Sequence, residues 1–262
     1  MTILNAEDPL AVAAVRAVRR GDVDGLRQLL SAHLGQAAAR IGDHGPGAKS
    51  RTLLHVVTDW PGHFPSGAAS VAALVQAGAD VNARFRGQLG ETPLHWAASS
   101  DDVEVLDALL YADTDIDAPG SVIAGGTPLD DATAFAPWKA ARRLVERGAR
   151  VNLFAAASLG LLDQLAALVR GISPGDADQV SDVFWGACHG GQLRAAEYLL
   201  DHGAVLNWLP GWEPLTPLDA AARGTATDVV TWLHSQGAKT CSELRGEEPG
   251  CTALVGQGSA AG

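Results

Sequence analysis

Two short phrases recur in the same order along the chain, and they constrain the fold more than any other feature. The first phrase is Thr-Pro-Leu, and it begins at Thr92, Thr127 and Thr216, with a weaker Thr-Leu-Leu copy at Thr52. The second phrase is Gly-Ala followed by a short turn, and it begins at Gly78, Gly148, Gly203 and Gly237. Phrases that alternate in this way indicate one structural unit repeated several times.

The two phrases carry the start and stop signals of helices. Thr is a good N-cap, and Pro suits the first helical position because its missing N–H would be unpaired there in any case. The apolar residues that follow recur at helical spacing. Gly can adopt the left-handed conformation that ends a helix, and the polar residues after it begin a turn. Each unit is therefore predicted to be a pair of helices followed by a loop.

These residues resemble the ankyrin repeat, whose 33-residue pattern begins Thr-Pro-Leu-His-x-Ala and ends Gly-Ala-Asp-x-Asn. The segments Thr92–Ala97 and Gly78–Asn82 match the two halves of that pattern most closely. The resemblance implies an all-α ankyrin-repeat solenoid of about seven stacked helix-turn-helix units with finger loops. It predicts one domain over residues 6–241, and we expect the polar, small-residue stretch 242–262 to be a disordered tail.

Departures from the period predict local irregularities. The units that lack Thr-Pro are placed by their second halves and start near Val12, Val151 and Asp182. Residues 60–65 form a predicted insertion between the two helices of the repeat that begins at Thr52. The Gly- and Pro-rich stretches 34–50 and 117–126 are predicted to be extended finger loops. Asn152 runs almost directly into the next helix, so we expect the stack to lack a finger there and to kink.

Composition limits the class of partner. The chain has 262 residues and a formal net charge of -11, which disfavours binding to the phosphate backbone of nucleic acids or to an anionic membrane. Three cysteines without tight spacing argue against a disulfide framework. The N-terminal residues lack the order of a secretory signal, and no apolar run is long enough to span a bilayer. These three features together predict a cytoplasmic protein, and we expect it to be a monomer. Arginine far outnumbers lysine amid abundant Ala and Gly, which favours a source in a GC-rich bacterium.

The candidates for catalysis and metal binding have structural explanations. His55 and His95 occupy the fourth position of the start phrase, where the resembled family uses the ring to bond the repeat junction. Cys188 and His189 are the best candidates for a nucleophile and base, but neighbours on a helix point in different directions. We expect Cys188 to be packed in the interior and His189 to be exposed. We therefore predict no catalytic residue, no metal site and no cofactor.

Partner recognition is a better explanation than catalysis for the residues at the positions that vary between ankyrin repeats. The resemblance implies a concave face built from finger tips and first helices, and it places the contact positions just before the Thr and just after the second Ala. The predicted contact residues are Phe85, Arg86, Gln88, Leu89, Glu91, Ser99, Phe135, Trp208, Trp212, Glu213 and Arg223.

Trp208 and Trp212 stand out because they lie four residues apart in a finger loop bracketed by prolines. They are either anchors for a partner, since Trp is frequent in interface hot spots, or a cover that folds back over the last groove. The predicted function is a protein–protein interaction module, an adaptor or regulator that binds one protein partner. Two alternatives remain open: an enzyme with an unrecognised site near Cys188 and His189, or an inhibitory subunit of a neighbouring enzyme.

Overall fold

Pairs of short helices make up most of the protein. The computed structural model describes residues 2–246 except 34, 44, 46, 88 and 174. Fourteen of the helices in this part of the chain form seven consecutive pairs, and a fifteenth follows. They are α1 (Pro9–Arg20), α2 (Val23–Ala32), α3 (Leu53–Val57), α4 (Gly67–Gln76), α5 (Pro93–Ser99), α6 (Val103–Tyr111), α7 (Pro128–Phe135), α8 (Trp138–Glu146), α9 (Leu153–Leu159), α10 (Leu162–Val169), α11 (Ala177–His189), α12 (Leu193–Asp201), α13 (Pro217–Arg223), α14 (Thr227–Ser235) and α15 (Cys241–Arg245).

Five helices begin with the same reciprocal cap, which explains why the Thr phrase starts a helix. The N-cap threonine and the side chain at the third helical position bond each other's backbone N–H, so two otherwise unpaired donors are satisfied. The capped helices are α3, α5, α7, α13 and α15, with caps at Thr52, Thr92, Thr127, Thr216 and Thr240. The exit glycines Gly78, Gly148, Gly203 and Gly237 all have positive φ, as a helix stop of this type requires.

The chain divides into two compact units, residues 1–155 and 156–262. In the first unit, α1, α3, α5 and α7 pack in order, and α2, α4, α6 and α8 form a second row. In the second unit α11 packs on α12 and α13, and α14 packs on α12 and α13. Fully buried leucines such as Leu54, Leu94 and Leu129 fill the first unit, while Phe184 and Leu199 do so in the second.

Three short strands in the described part of the chain depart from a purely helical fold. β1 (Ile3–Leu4) pairs in parallel with β2 (Arg40–Gly42), and β2 pairs antiparallel with β3 (Ser50–Thr52). The buried Arg40 side chain holds this sheet to the next finger, because its Nη2 donates to the carbonyls of Ser50 and Arg84 at 2.6 and 2.7 Å. A helical pattern search cannot detect strands of two or three residues, so the sequence predicted only an extended finger here.

The irregular segments lie where the spacing of the phrases placed them. Residues 60–65 connect α3 to α4, and α9 begins directly after Asn152 with no finger between. The predicted tail starts inside α15, so the helical structure continues to Arg245. The remainder of that tail, residues 247–262, lies outside the described residues. Among the described residues, no helix combines the length and apolar character needed to cross a membrane.

Candidate partner-binding surfaces

The fourth position of each start phrase joins one repeat to the next. His55 accepts the backbone N–H of Thr52 at Nδ1, so its proton is on Nε2, which donates to the carbonyl of Glu91 at 3.2 Å. His95 makes the same bond from Thr92 and reaches the carbonyl of Gly126 at 3.5 Å. Burial lowers the pKa of His55 to about 3 and that of His95 to about 4. Both histidines are therefore neutral structural bridges, as the sequence predicted.

Other residue types perform the same junction function elsewhere. Asp130 accepts a hydrogen bond from Asn152 Nδ2 at 2.6 Å, and Asp219 accepts one from the backbone N–H of Cys241 at 2.8 Å. Trp185 donates its indole N–H to the carbonyl of Leu215 at 2.9 Å. Each bond ends near the start of the following helix, so the position requires only a polar side chain of suitable reach.

The cysteine and histidine considered for catalysis are both interior residues. Cys188 is fully buried, and desolvation raises the pKa of its thiol far above the usual value. Its thiolate is thereby disfavoured, and a thiolate is the form that a nucleophile needs. The prediction that His189 is exposed was wrong, because its ring is buried and stacks on Trp185 with centroids 5.1 Å apart. No group of three or more potential ligands among the described residues could hold a metal ion.

An aromatic cluster forms the base of the finger loop between α4 and α5, which we call the finger of the first unit. Phe85 is half-buried and packs against Trp96 with ring centroids 5.5 Å apart, and Trp96 meets His55 edge-on at 4.9 Å. The backbone N–H of Phe85 donates to the carbonyl of Glu91 at 2.7 Å and closes the finger. Desolvation raises the pKa of the Glu91 carboxyl, although a hydrogen bond from Trp96 opposes that shift. Leu89 lies exposed on the same finger.

The remaining residues predicted in the first unit are more scattered. Arg86 is exposed, and its backbone pairs with that of Ser50, the first residue of β3. Ser99 was predicted to contact a partner, but its hydroxyl donates a hydrogen bond to the carbonyl of His95 in its own helix at 2.9 Å. Phe135 is 52% exposed at the end of α7. Gln88 lies outside the described residues.

The second unit gathers several predicted residues around one buried indole. Trp212 is 60% exposed, and its ring makes a T-shaped contact with that of Trp185, with centroids 4.7 Å apart. Trp185 is only 2% exposed and lies between Trp212 and the stacked ring of His189. The rigid interior side chain therefore positions the exposed one. We call Trp185, Trp212, Glu213 and Arg223 the tryptophan cluster.

An ion pair borders the tryptophan cluster. Arg223 Nη1 contacts Glu213 Oε1 at 2.5 Å, and the guanidinium carbon lies 5.8 Å from the centroid of the Trp185 ring. The two charges neutralise each other, and the cation also gains the attraction of the indole face. Both side chains remain partly exposed, so the pair contributes little to stability.

Trp208 behaves differently from Trp212. It is half-buried, and its indole N–H donates to Asp178 Oδ1 at 3.2 Å. The finger thus folds against α11 through Trp208 while Trp212 keeps most of its surface exposed. Trp208 therefore has the covering role that was one of the two interpretations, and Trp212 is exposed, as an anchor for a partner would have to be.

Sequence reasoning left Trp185 and Asp182 out of the predicted surface. Trp185 replaces His at the junction position, and a large aromatic residue there is the signal that could have identified it. Asp182 precedes Trp185 by three residues on α11, so the two share a helix face. Lys49 is exposed just before β3 and lines an open cleft of about 910 Å³ with Phe85 and Leu89.

Stacked helix pairs joined by fingers define an α-helical repeat protein. A family model described as ankyrin repeats, in three copies, matches residues 14–155, which is more than half of the chain. The chain therefore belongs to the ankyrin-repeat family. Ankyrin repeats are generally protein–protein interaction modules, and the family is typically non-enzymatic. A comparison with curated proteins finds no match.

Proposed function

We propose that this protein is an adaptor or regulator that binds a protein partner through the tryptophan cluster, with no catalytic site or cofactor of its own. The observation that carries the proposal is the exposed Trp212 held in T-shaped contact by the buried Trp185. An indole fixed in this way loses little conformational entropy on binding and offers a large apolar surface with a polar edge. Such residues dominate interface hot spots.

The finger of the first unit supplies a second contact surface in this proposal. Phe85 and Leu89 offer apolar area, and Arg86 adds an exposed charge beside them. Apolar anchors surrounded by charged residues are the usual arrangement of a specific interface. Phe135, Ser99, Glu91 and Gln88 belong to the same proposed surface by their repeat positions.

The cellular setting is also part of the proposal. The excess of Arg over Lys supports a GC-rich bacterial source, and the acidic balance of the chain supports a protein partner over nucleic acid. We place the protein in the cytoplasm as a monomer. Its mechanism is recognition by a preformed surface, so binding should order few residues and retain the fold of the free protein.

A differential capture experiment tests this proposal. Tagged wild type and Trp212→Ala are incubated with lysate of the source organism, and the captured proteins are quantified by mass spectrometry. Tyr111→Ala is the matched control, because Tyr111 is 91% exposed at the end of α6 and lies outside both proposed surfaces. We expect at least one protein that wild type and the control retain and that Trp212→Ala recovers about tenfold less. A set of captured proteins identical for all three variants would refute the proposal.

A further inference from the structure

Two carboxylates and an indole lie in a row on one face of α11. Asp178, Asp182 and Trp185 are spaced by four and three residues, which brings their side chains to the same side of the helix. At 1.5 Å rise per residue, Asp182 lies about 6 Å along the axis from Asp178 and about 4.5 Å from Trp185. Asp182 is therefore the middle residue of this row.

The finger that follows α12 covers both ends of the row. Trp208 donates its indole N–H to Asp178 at 3.2 Å, and Trp212 meets Trp185 with ring centroids 4.7 Å apart. The two contacts fix the finger at the first and third residues of the row. Asp182 is left between the contact points of two tryptophans.

Within the described residues, no structural role accounts for the Asp182 carboxyl. Asp178 lies in the first turn of α11, where the helix dipole favours an acid, but Asp182 lies beyond that turn. Nothing in the described part of the chain forms a hydrogen bond or ion pair with the Asp182 carboxyl, and desolvation raises its pKa. A half-buried carboxylate of this kind loses hydration without gaining a partner, and an incoming cation would compensate that loss.

The charges around the row are unbalanced. Arg223 is already matched by Glu213 at 2.5 Å, and it lies at the Trp185 end of the row. Asp178 and Asp182 therefore give this surface a net negative charge. A guanidinium suits such a surface better than an ammonium, because it stacks on an indole face while it donates two parallel hydrogen bonds to a carboxylate.

We propose that the surface between Trp208 and Trp212 binds an arginine side chain of the partner protein, with its guanidinium paired to Asp182. The indoles supply the stacking surface and Asp178 adds to the attraction. This inference rests on the proposed function, since it names the chemistry that the tryptophan cluster recognises.

A pair of synthetic peptides tests the inference. One is an acetylated, amidated nine-residue peptide with three arginines separated by small residues, and the other has citrulline, the neutral isostere, at the same positions. Affinities are measured by calorimetry at fixed salt concentration with the whole protein. We expect wild type to bind the arginine peptide about tenfold more tightly, because a charge-assisted bidentate pair replaces a neutral contact. Asp182→Asn should reduce that preference to less than about threefold, and Asp182→Glu should retain it.

Asp228→Asn is the matched control, because Asp228 is an exposed acid in the first turn of α14 and its loss changes the net charge equally. It should leave the preference unchanged. The inference is overturned if wild type binds both peptides equally, if Asp182→Asn keeps the preference, or if the control loses as much of it. The peptide preference decides this inference alone, while the dependence of partner capture on Trp212 decides the proposed function. Each can fail without the other.

Discussion

The indole N–H of Trp185 donates to the carbonyl of Leu215 at 2.9 Å, in the place where His55 reaches the carbonyl of Glu91 in the first unit. Both carbonyls belong to the residue that precedes the N-cap threonine of a following helix. A tryptophan thus performs the junction function of a histidine and also supports the exposed ring of Trp212.

Trp185→Phe should therefore weaken the second unit even though a large ring is retained. The change removes the donor and leaves the Leu215 carbonyl without this bond, which we expect to lower the free energy of unfolding by about 1–3 kcal/mol. Urea unfolding followed by circular dichroism measures the effect. Trp232→Phe is the control, since Trp232 is half-buried and contacts Phe184 only edge-on at 6.4 Å. Equal losses for the two variants would contradict the assigned role of the indole N–H.

Asp219 fixes the last helix to the repeat before it. Its Oδ2 accepts bonds from the N–H and hydroxyl of Thr216 and from the backbone N–H of Cys241. Asp219→Ala should release α15 and expose the Cys241 thiol, which is 9% exposed in the native protein. Iodoacetamide labelling resolved by peptide mass spectrometry should then show faster modification of Cys241. Asp228→Ala should leave the labelling rate unchanged, and an unchanged rate in Asp219→Ala would refute this role.

The two bridging histidines should make the protein less stable in acid. Their folded pKa values of about 3 and about 4 lie below the unfolded value of 6.5, so below pH 6.5 the unfolded state binds protons that the folded state does not. Stability should fall as pH decreases from about 6.5 towards 4, by at most about 1.4 kcal/mol per pH unit for each ring. His95→Gln keeps an acceptor and a donor but does not titrate. Its urea midpoint should vary less with pH than that of wild type; an identical pH profile would contradict the burial of a neutral ring.

Asp131 should have the opposite pH dependence. Its carboxyl is fully buried, and desolvation raises its pKa to about 7, against an opposing hydrogen bond from Ser121. Between pH 4 and 7 the unfolded state releases a proton that the folded state retains, so stability falls as pH rises through this range. Asp131→Asn keeps an acceptor for Ser121 and should raise the free energy of unfolding at pH 8 by about 1–3 kcal/mol. A variant that is less stable than wild type at pH 8 would contradict this assignment.

The helix pairs were predictable because their signals are local. Thr92 and Pro93 start a helix by capping and by fixed φ, and Gly78 ends one by its positive φ, so each acts within a few residues. The buried state of His189 was not predictable in this way. It depends on stacking against Trp185 and on the neighbouring helices, which a single helix pattern does not contain.

The candidate surface was predictable in position but not in detail. Repeat register placed Trp212, Glu213 and Arg223 on the finger and first helix of one repeat, and these three residues do lie together. Register alone could not separate Trp208 from Trp212, because the separation depends on the hydrogen bond to Asp178. The role proposed for Asp182 likewise depends on its burial without a partner, which is set by how the finger packs on α11 and not by local sequence.

Fluorine NMR tests the central claim of partner binding most directly. The protein is labelled with 5-fluorotryptophan, the seven signals are assigned by single Trp→Phe substitutions, and a captured partner is added stepwise. Trp60, which is 83% exposed and belongs to the insertion after α3, serves as the internal reference. The account predicts that the Trp212 signal shifts or broadens with partner while the Trp60 signal stays constant. A shift of Trp60 with no change at Trp212 would contradict it.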